Sequence, residues 1–187
     1  MNEEVEIKVE LKNPEEVDKK LREIAKFVKA KDQKDDYYTP AHKDFFDKKV
    51  PDEYLRVRYE DGRSELCYHY LHLAADEAVT LYKTDEYEVK IEDAEMMKTI
   101  LEKLDMVHKV TVNKHRKTFD YKEFEVVLDY IEELGNYIEV ELKKVEGSFE
   151  DMLQKCYGVL DEVGAEWEKI PAELRGYPIM ILAKKSL

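Results

Sequence analysis

Hydrophobic and polar residues alternate along much of the chain, and this alternation is the clearest structural signal in the sequence. In residues 4–11 (EVEIKVEL) the apolar side chains share one face and the charged side chains share the other. Because successive side chains of a strand point to opposite faces, the segment is predicted to be a half-buried β-strand. Strands are also predicted at 54–60, 86–91, 107–119, 122–131 and 138–143, and from weaker patterns at 33–38, 42–49, 64–73 and 77–84.

Helical segments separate these groups of strands. Asn13 followed by Pro14 is typical of a helix N-terminus and predicts a helix to about Ala30. Within each group the strands are too closely spaced for helical crossovers, so antiparallel pairing is expected in an α+β fold that forms one domain over 1–187. The other predicted helices run from Asp93 to about Leu104, from Ser148 to between Gly158 and Gly164, and over 178–185.

The polar faces of the predicted strands are almost entirely charged. A face open to solvent is the ordinary interpretation of any one such strand, but it usually mixes in Ser, Thr and Gln. Helices that cover the apolar faces from outside would turn the charged faces inward, and a barrel closes such a sheet without exposed edges. The sequence therefore predicts a closed antiparallel β-barrel with a charged lumen and with helices packed outside.

A lumen lined with both signs of charge needs compensation, because unpaired buried charges are costly. Arginine and lysine side chains suit the oxygens of a polyphosphate, whereas separate carboxylates suit Mg²⁺ or Mn²⁺, which bind oxygen ligands and bridge to phosphates. The candidate phosphate-binding cations are Lys8, Arg56, Arg58, Lys114 and Arg116, the candidate metal ligands are Glu4, Glu6, Asp129, Glu139 and Glu141, and Glu86 and Glu88 are possible further acids of the lumen.

Composition narrows the partners and the location. The chain has 187 residues with 31 basic and 44 acidic side chains, a net charge of -13 that argues against nucleic acid or an anionic membrane as the main partner. Cys67 and Cys156 have no partners at metal-ligand spacing and are interpreted as reduced thiols. No apolar run approaches the ~20 residues of a membrane span, and the N-terminus does not resemble a signal peptide. A cytoplasmic location is expected.

Six short motifs occur in order along residues 4–141. The first is Glu-x-Glu-x-Lys at 4–8, and the last is Leu-Asp at 128–129 followed by Leu-Gly at 134–135 and Ile-Glu-Val-Glu at 138–141. Between them lie Gln-Lys-Asp-Asp-Tyr-Tyr at 33–38, Leu-Arg-Val-Arg at 55–58, Glu-Tyr-Glu-Val at 86–89 and Lys-His-Arg at 114–116. In this order they resemble the motifs of the CYTH superfamily, the triphosphate tunnel metalloenzymes.

The resemblance implies an eight-stranded tunnel in which the basic residues bind a triphosphate and the acidic residues hold divalent metal ions. It further implies that Lys8, beside the carboxylates, orients or activates the attacking water. The first expectation is a metal-dependent triphosphatase acting on inorganic, nucleoside or thiamine triphosphate. A class IV adenylyl cyclase and a non-catalytic polyphosphate- or nucleotide-binding module are the alternatives, and a homodimer is plausible by analogy with the cyclases.

One position departs from the family pattern. On the strand after Leu-Arg-Val-Arg the family usually carries a lysine, and His69 takes that position here. His69 is therefore included among the predicted phosphate-binding residues. A neutral imidazole binds phosphate less strongly than an ammonium group, so affinity or pH dependence is expected to differ from the family.

Overall fold

The structure is a computed structural model that describes residues 2–48, 50–73, 81–144 and 146–186, without the side chains of 2–4, 73, 81–83 and 172. Its strands are β1 (Asn2–Leu11), β2 (Lys26–Pro40), β3 (Glu53–Glu60), β4 (Arg63–Leu73), β5 (Leu81–Ile91), β6 (Met106–Tyr121), β7 (Phe124–Ile131), β8 (Gly135–Leu142) and β9 (Trp167–Lys169). Its helices are α1 (Pro14–Ile24), α2 (Ala94–Lys103), α3 (Phe149–Glu162) and α4 (Tyr177–Lys185).

The alternation along β1 separates a core face from a charged face. Val5, Ile7 and Val9 are at most 1% exposed and pack in the largest hydrophobic cluster. Fully burying one such side chain contributes about 1.5–3 kcal/mol, so the apolar face fixes which way the strand is turned. The intervening residues Glu6 and Lys8 consequently point to the opposite face of the sheet.

Three helices cover the apolar face from outside, as expected for the α+β arrangement. Leu21 of α1 and Leu160 of α3 are fully buried in the cluster that contains β1. Leu101 of α2 packs in a separate cluster with Val57 of β3. Asp93 accepts a hydrogen bond from the Met96 amide at 2.9 Å, which caps α2 as predicted.

The sheet differs from the predicted closed, eight-stranded barrel. Its strand order is β5-β4-β3-β2-β6-β7-β8-β1-β9, with antiparallel pairing throughout. β1 also pairs with β5, but only through residues 2–5 and 81–84. Along 85–91 the only strand partner of β5 among the described residues is β4, and Tyr87 there is 64% exposed. The sheet therefore has nine strands and is not closed into a barrel, because β1 reaches only one end of β5.

The first helix is shorter than predicted. It ends at Ile24, and residues 26–30 belong to β2, where they pair with β6. The long ladder between β2 and β6 satisfies the backbone groups of these residues and overrides their helical pattern. Asn13 precedes α1 but makes no capping bond; its side chain instead donates to the Gly164 carbonyl at 3.0 Å and accepts from the Glu166 amide at 2.8 Å.

The predicted strand at 42–49 is wrong over its described part, because residues 41–48 form turns. Side chains take the backbone donors that a ladder would use: the Phe45 amide donates to Thr39 Oγ1 at 2.8 Å and the Phe46 amide to Asp44 Oδ1 at 3.0 Å. Of the strand predicted at 77–84, residues 81–84 belong to β5 and 77–80 lie outside the described residues.

The fourth helix, α4, packs against the inner face of the sheet rather than its outer face. Met180 and Ile181 lie in a hydrophobic cluster with Val110 and Val112 of β6. Because Val112 is two residues from Lys114, both side chains lie on the same face of β6. Helix α4 therefore covers one end of the charged face.

Candidate functional site

A cavity of about 400 Å³ opens between the charged face of the sheet and the start of α4. Every predicted site side chain lines it except Glu4, whose side chain lies outside the described residues, and Asp129. The predicted residues that the structure brings together here are Glu6, Lys8, Arg56, Arg58, His69, Glu86, Glu88, Lys114, Arg116, Glu139 and Glu141.

Strand register places acids of two neighbouring strands directly opposite one another. Glu6 of β1 is the pairing partner of Glu141 of β8, and Lys8 is the partner of Glu139. Directly opposed residues of an antiparallel pair have their Cβ atoms about 4.5–5.5 Å apart, and like charges in such positions destabilise the pair. At the Lys8–Glu139 position of the ladder the opposed charges attract each other. At the other step two carboxylates face each other.

The side chains of Glu6, Lys8, Arg116, Glu139 and Glu141, which line the cavity, are called the acid wall below, and ion pairs join its cations to Glu139. Lys8 Nζ lies 2.8 Å from Glu139 Oε1, and Arg116 Nη2 lies 2.8 Å from Glu139 Oε2. Arg116 also binds both carboxylate oxygens of Asp129, at 2.8 and 2.5 Å. Asp129, which is 2% exposed, thus lies behind Arg116, adjoining the cavity lining. The Tyr177 hydroxyl lies 3.0 Å from Asp129 Oδ2 and 3.1 Å from Glu139 Oε1 and shares its one proton between these two acceptors.

Electrostatics divides the carboxyls of this wall into two kinds. Although burial opposes its charge, Arg116 and Lys8 hold the pKa of Glu139 well below its ordinary value. Burial raises the pKa of Glu6, and the nearby Glu139 charge adds to this effect against the attraction of Lys8. Burial would lower the pKa of Lys8, but Glu139 and Glu6 hold it above its ordinary value, so Lys8 is protonated at neutral pH.

A second group of side chains that line the cavity, Arg56, Arg58 and Lys114, is called the cation wall below, and these cations are organised around one buried acid. Asp35 of β2 is fully buried and receives two hydrogen bonds from Arg58, from Nε at 2.7 Å and from Nη2 at 2.9 Å. Arg56 Nη1 and Lys114 Nζ lie 4.0 and 3.7 Å from Asp35 Oδ2. Although burial opposes its charge, the Arg58 hydrogen bonds and the Arg56 charge hold the pKa of Asp35 well below its usual range. One carboxylate is thus shared among three cations.

Two cations of this wall are incompletely compensated. Arg56 Nε is buried and has no hydrogen-bond partner among the described residues. Burial, with added repulsion from Arg116, lowers the pKa of Lys114 to about 7. The Arg56 Nε donor lacks an acceptor in the described part of the chain, and Lys114 is only partly protonated at neutral pH. Both observations indicate a site for an added anion.

His69 lies among acids at the β4–β5 side of the cavity. Its Nε2 is 3.1 Å from Glu88 Oε1, and its Nδ1 is 3.5 Å from Glu86 Oε1. Burial and the charge of Arg56 lower the pKa of His69 despite these carboxylates. Glu86 and Glu88 therefore hold the imidazole at this edge of the cavity, and Arg56 Nη2 lies 3.9 Å from Glu88.

Sequence reasoning missed two residues that organise the site. Asp35 lies within the motif at 33–38, but no role was predicted for it, because its partner Arg58 is brought to it only by the β2–β3 pairing. Tyr177 gave no signal in the sequence, because its importance depends on how α4 folds back against the sheet. The position of Arg175 beside it in the cavity wall depends on the same contact.

The carboxylates of the acid wall fit a hard divalent cation in their chemistry. Oxygen ligands from Glu6, Glu139 and Glu141 suit Mg²⁺ or Mn²⁺, and the Glu6–Glu141 pair places like charges opposite each other, where a cation would lower the repulsion. In their present positions the described His, Cys, Asp and Glu side chains form no cluster of three or more ready to hold a metal. The Glu139 oxygens that would ligate a metal here bind Arg116, Lys8 and Tyr177 instead.

The family model of the CYTH domain matches residues 2–163, which include the acids and cations of both walls but neither Arg175 nor Tyr177. The chain belongs to the CYTH family. A protein of Methanocaldococcus jannaschii that is provisionally named an adenylate cyclase is 35% identical to this CYTH protein over 140 residues, 74% of this chain and 75% of its own. The family assignment suggested by the order of the motifs is confirmed.

Solved structures share the fold across the whole chain. A Pyrococcus horikoshii protein matches with a TM-score of 0.75 and 28% identity, covering 97% of this chain and 99% of its own. A Hippeastrum protein matches with a TM-score of 0.68 and 18% identity, covering 100% of this chain and 97% of its own. That protein is provisionally named an adenylyl cyclase and is described as revealing a dominant triphosphatase activity. At that identity the second likeness concerns the fold alone. In the described part of this CYTH chain no helix is long and apolar enough to cross a membrane.

Proposed function

We propose that this CYTH protein is a divalent-metal-dependent triphosphatase that hydrolyses inorganic triphosphate or a nucleoside or thiamine triphosphate. The observation that carries the proposal is the division of one cavity into two walls. Arg56, Arg58 and Lys114 line one wall, and the carboxylates of Glu6, Glu139 and Glu141 line the other. The volume of about 400 Å³ lies in the range of ~300–1,000 Å³ typical of small-molecule sites.

The cation wall supplies the contacts for the phosphate chain. Arg56 lines a cavity whose other donors include Arg58 and Lys114, and its buried Nε has no hydrogen-bond partner among the described residues. Arginine binds phosphate oxygens in pairs, and lysine acts as a point charge. A triphosphate would give these cations more negative charge than Asp35 alone provides, and it would raise the protonated fraction of Lys114.

The acid wall would hold the metal through Glu6, Glu139 and Glu141, with Asp129 orienting Arg116 behind them. When bound, Mg²⁺ or Mn²⁺ neutralises charge that develops on the phosphate oxygens. Lys8, protonated because Glu139 and Glu6 stabilise its charge, donates hydrogen bonds and orients either the water or the terminal phosphoryl group. A protonated lysine cannot accept a proton, so this role replaces water activation by proton abstraction.

In the proposed reaction the oxygen of water attacks the terminal phosphorus. The bond from that phosphorus to the bridging oxygen breaks, and the electron pair leaves with diphosphate. The water proton passes to the phosphate products. No protein nucleophile takes part, since positioning and charge stabilisation are sufficient in reactions of this class.

A class IV adenylate cyclase is the second candidate, because the M. jannaschii relative carries that provisional name. In that reaction the 3′-oxygen of ribose attacks the α-phosphorus of ATP, and cyclic AMP and diphosphate are formed. Both candidates use the same arrangement of cations and carboxylates. They differ in which oxygen lies in line with which phosphorus.

The test is a product analysis with purified protein. Triphosphate, ATP and thiamine triphosphate are each incubated with Mn²⁺ or Mg²⁺, and orthophosphate and cyclic AMP are resolved by chromatography. Orthophosphate release that stops when a chelator is added supports the triphosphatase, and cyclic AMP supports the cyclase. Binding of triphosphate without turnover would refute both and favour a binding module, the reading that the neutral His69 suggests.

A matched pair of variants ties turnover to the acid wall. Glu139→Gln keeps the shape of the buried side chain but removes its charge, whereas Glu102→Gln makes the same change at an exposed position on α2. We expect a loss of at least about a hundredfold in kcat/KM for the first variant and no change for the second. Equal activity of the two variants would contradict the proposed site.

A further inference from the structure

Tyr177 is the first residue of α4 and lies beyond residues 2–163, the part that the CYTH model matches. Its hydroxyl reaches the two acids that share Arg116, with oxygen–oxygen distances of 3.0 Å to Asp129 and 3.1 Å to Glu139. We propose that Tyr177 is a positioning residue, which fixes the Glu139 carboxylate for metal binding and turnover and holds Asp129, the acid that orients Arg116. This inference rests on the proposed function.

Arg116 and Tyr177 contact both carboxylates, at the same oxygen of Asp129 and at different oxygens of Glu139. Arg116 binds both, with Nη2 at 2.5 Å from Asp129 Oδ2 and 2.8 Å from Glu139 Oε2. Tyr177 binds the second oxygen of Glu139, Oε1, which also accepts from Lys8. With Arg116 at one oxygen and Tyr177 at the other, rotation of the Glu139 carboxylate is restricted. A neutral donor between two acids also keeps like charges bridged without adding charge to the cavity.

The ring of Tyr177 has a second contact that can be separated from the hydroxyl. Lys8 Nζ lies 4.4 Å from the ring centroid, and Lys114 Nζ lies 5.9 Å from it. A cation within about 6 Å of an aromatic face is attracted to it, so the ring supports ammonium groups from both walls. Phenylalanine would retain this contact and lose only the hydrogen bonds.

The placement of α4 makes the hydroxyl a fixed feature. Tyr177 is 5% exposed and packs edge-on against Tyr137 at 5.2 Å, while Met180 and Ile181 anchor the helix in the same cluster. Gly176 precedes it with φ of 100°, and a Cβ there would lie 3.3 Å from the Tyr54 hydroxyl. The chain therefore turns tightly into α4, and the helix presents Tyr177 to the acids.

Three variants separate the hydroxyl from the ring and from general packing. Tyr177→Phe removes the hydroxyl, Tyr177→Leu removes the ring as well, and Tyr137→Phe removes a hydroxyl from the neighbouring buried tyrosine of the same cluster, which does not line the cavity. Mn²⁺ affinity is measured by calorimetry on the protein without triphosphate. Thermal stability, and kcat and KM for triphosphate, are measured on the same preparations.

For Tyr177→Phe we expect about tenfold weaker Mn²⁺ binding and about tenfold lower kcat, with KM for triphosphate changed by less than about twofold. Tyr177→Leu should in addition raise KM, since Lys8 and Lys114 lose the ring. Tyr137→Phe should match the wild type. A Tyr177→Phe variant with wild-type Mn²⁺ affinity and kcat would overturn the inference, as would an equal loss in Tyr137→Phe.

The failure of the proposed function gives a different result. If the wild type neither binds Mn²⁺ nor turns over any triphosphate, the proposed function fails irrespective of Tyr177. Crystal structures of the wild type and of Tyr177→Phe then test positioning directly. Rotation of the Glu139 carboxylate away from its place in the wild type supports the role, and an unmoved carboxylate refutes it.

Discussion

Lys114 should take up a proton when a polyphosphate binds, and this uptake can be measured. Its side chain is 6% exposed, its nearest carboxylate oxygen lies 3.7 Å away on Asp35, and burial together with Arg116 lowers its pKa to about 7. Arg58 adds to the lowering, whereas Asp35 and Asp129 oppose it. An anion placed among these groups favours the ammonium form and returns the pKa toward its ordinary range.

The expected magnitude follows from the pKa of about 7. Near pH 8, one unit above this value, about nine in ten Lys114 side chains are neutral, so binding takes up about 0.9 proton. Near pH 6 about nine in ten are already protonated, and the uptake falls to about 0.1 proton. Above pH 7 the affinity for triphosphate should therefore weaken by up to about tenfold per pH unit, equivalent to ~1.4 kcal/mol.

The assay is titration calorimetry in two buffers that differ in their heat of ionisation, because the difference in observed heat counts the protons exchanged. Triphosphate itself also takes up protons in this range, so the same titrations are run on Lys114→Met, which keeps the length of the side chain and cannot titrate. The uptake by Lys114 is the difference between the two proteins. Equal proton uptake near pH 8 in both would refute the argument that burial has neutralised Lys114.

Three other variants test separate contacts of the site. Asp35→Asn should lower the free energy of unfolding by ~3 kcal/mol at neutral pH, because it breaks a buried pair with Arg58. Since the pKa of Asp35 is depressed in the folded state, this difference is present above about pH 4 and is lost as the pH falls further. Denaturant titrations at several pH values check it. Arg56→Met should raise KM for triphosphate about tenfold with little change in kcat, whereas Arg63→Met at the exposed β3–β4 turn should leave KM unchanged. His69→Lys should tighten triphosphate binding near pH 8, because a charged ammonium replaces an imidazole whose pKa is lowered; weaker binding would argue against His69 as a phosphate contact.

The sequence predicted the lining of the cavity better than the closure of the sheet. Alternation assigns Glu6 and Lys8 to one face independently of the rest of the fold, because the two-residue period is a property of the strand itself. The same holds for Arg56 and Arg58 on β3. Whether β5 pairs along its length with β1 depends on the lengths of the two strands and on their offset. Alternation carries no information on these.

The residues that sequence reasoning missed depend on long-range contacts. Asp35 resembles the neighbouring Asp36 in the sequence, yet only Asp35 binds Arg58 across the β2–β3 ladder, while Asp36 contacts Lys98 of α2. Tyr177 lies 38 residues after Glu139 along the chain and meets it only because α4 packs against β6. Local patterns cannot distinguish such residues from other aspartates and tyrosines of a polar chain.

The arrangement of charges explains why this cavity needs a ligand of both signs. Lys8 pairs with Glu139 and Arg58 pairs with Asp35, so both cations have an acid partner before anything binds. The imbalance lies elsewhere: burial and the Glu139 charge raise the pKa of Glu6 at the acid wall despite the attraction of Lys8, and Lys114 has lost much of its charge at the cation wall. An anion alone would be repelled by the carboxylates of the acid wall, and a metal ion alone would be repelled by the cations of the cation wall. A metal–triphosphate complex brings a cation to the acid wall and an anion to the cation wall. We therefore expect the metal and the triphosphate each to strengthen binding of the other.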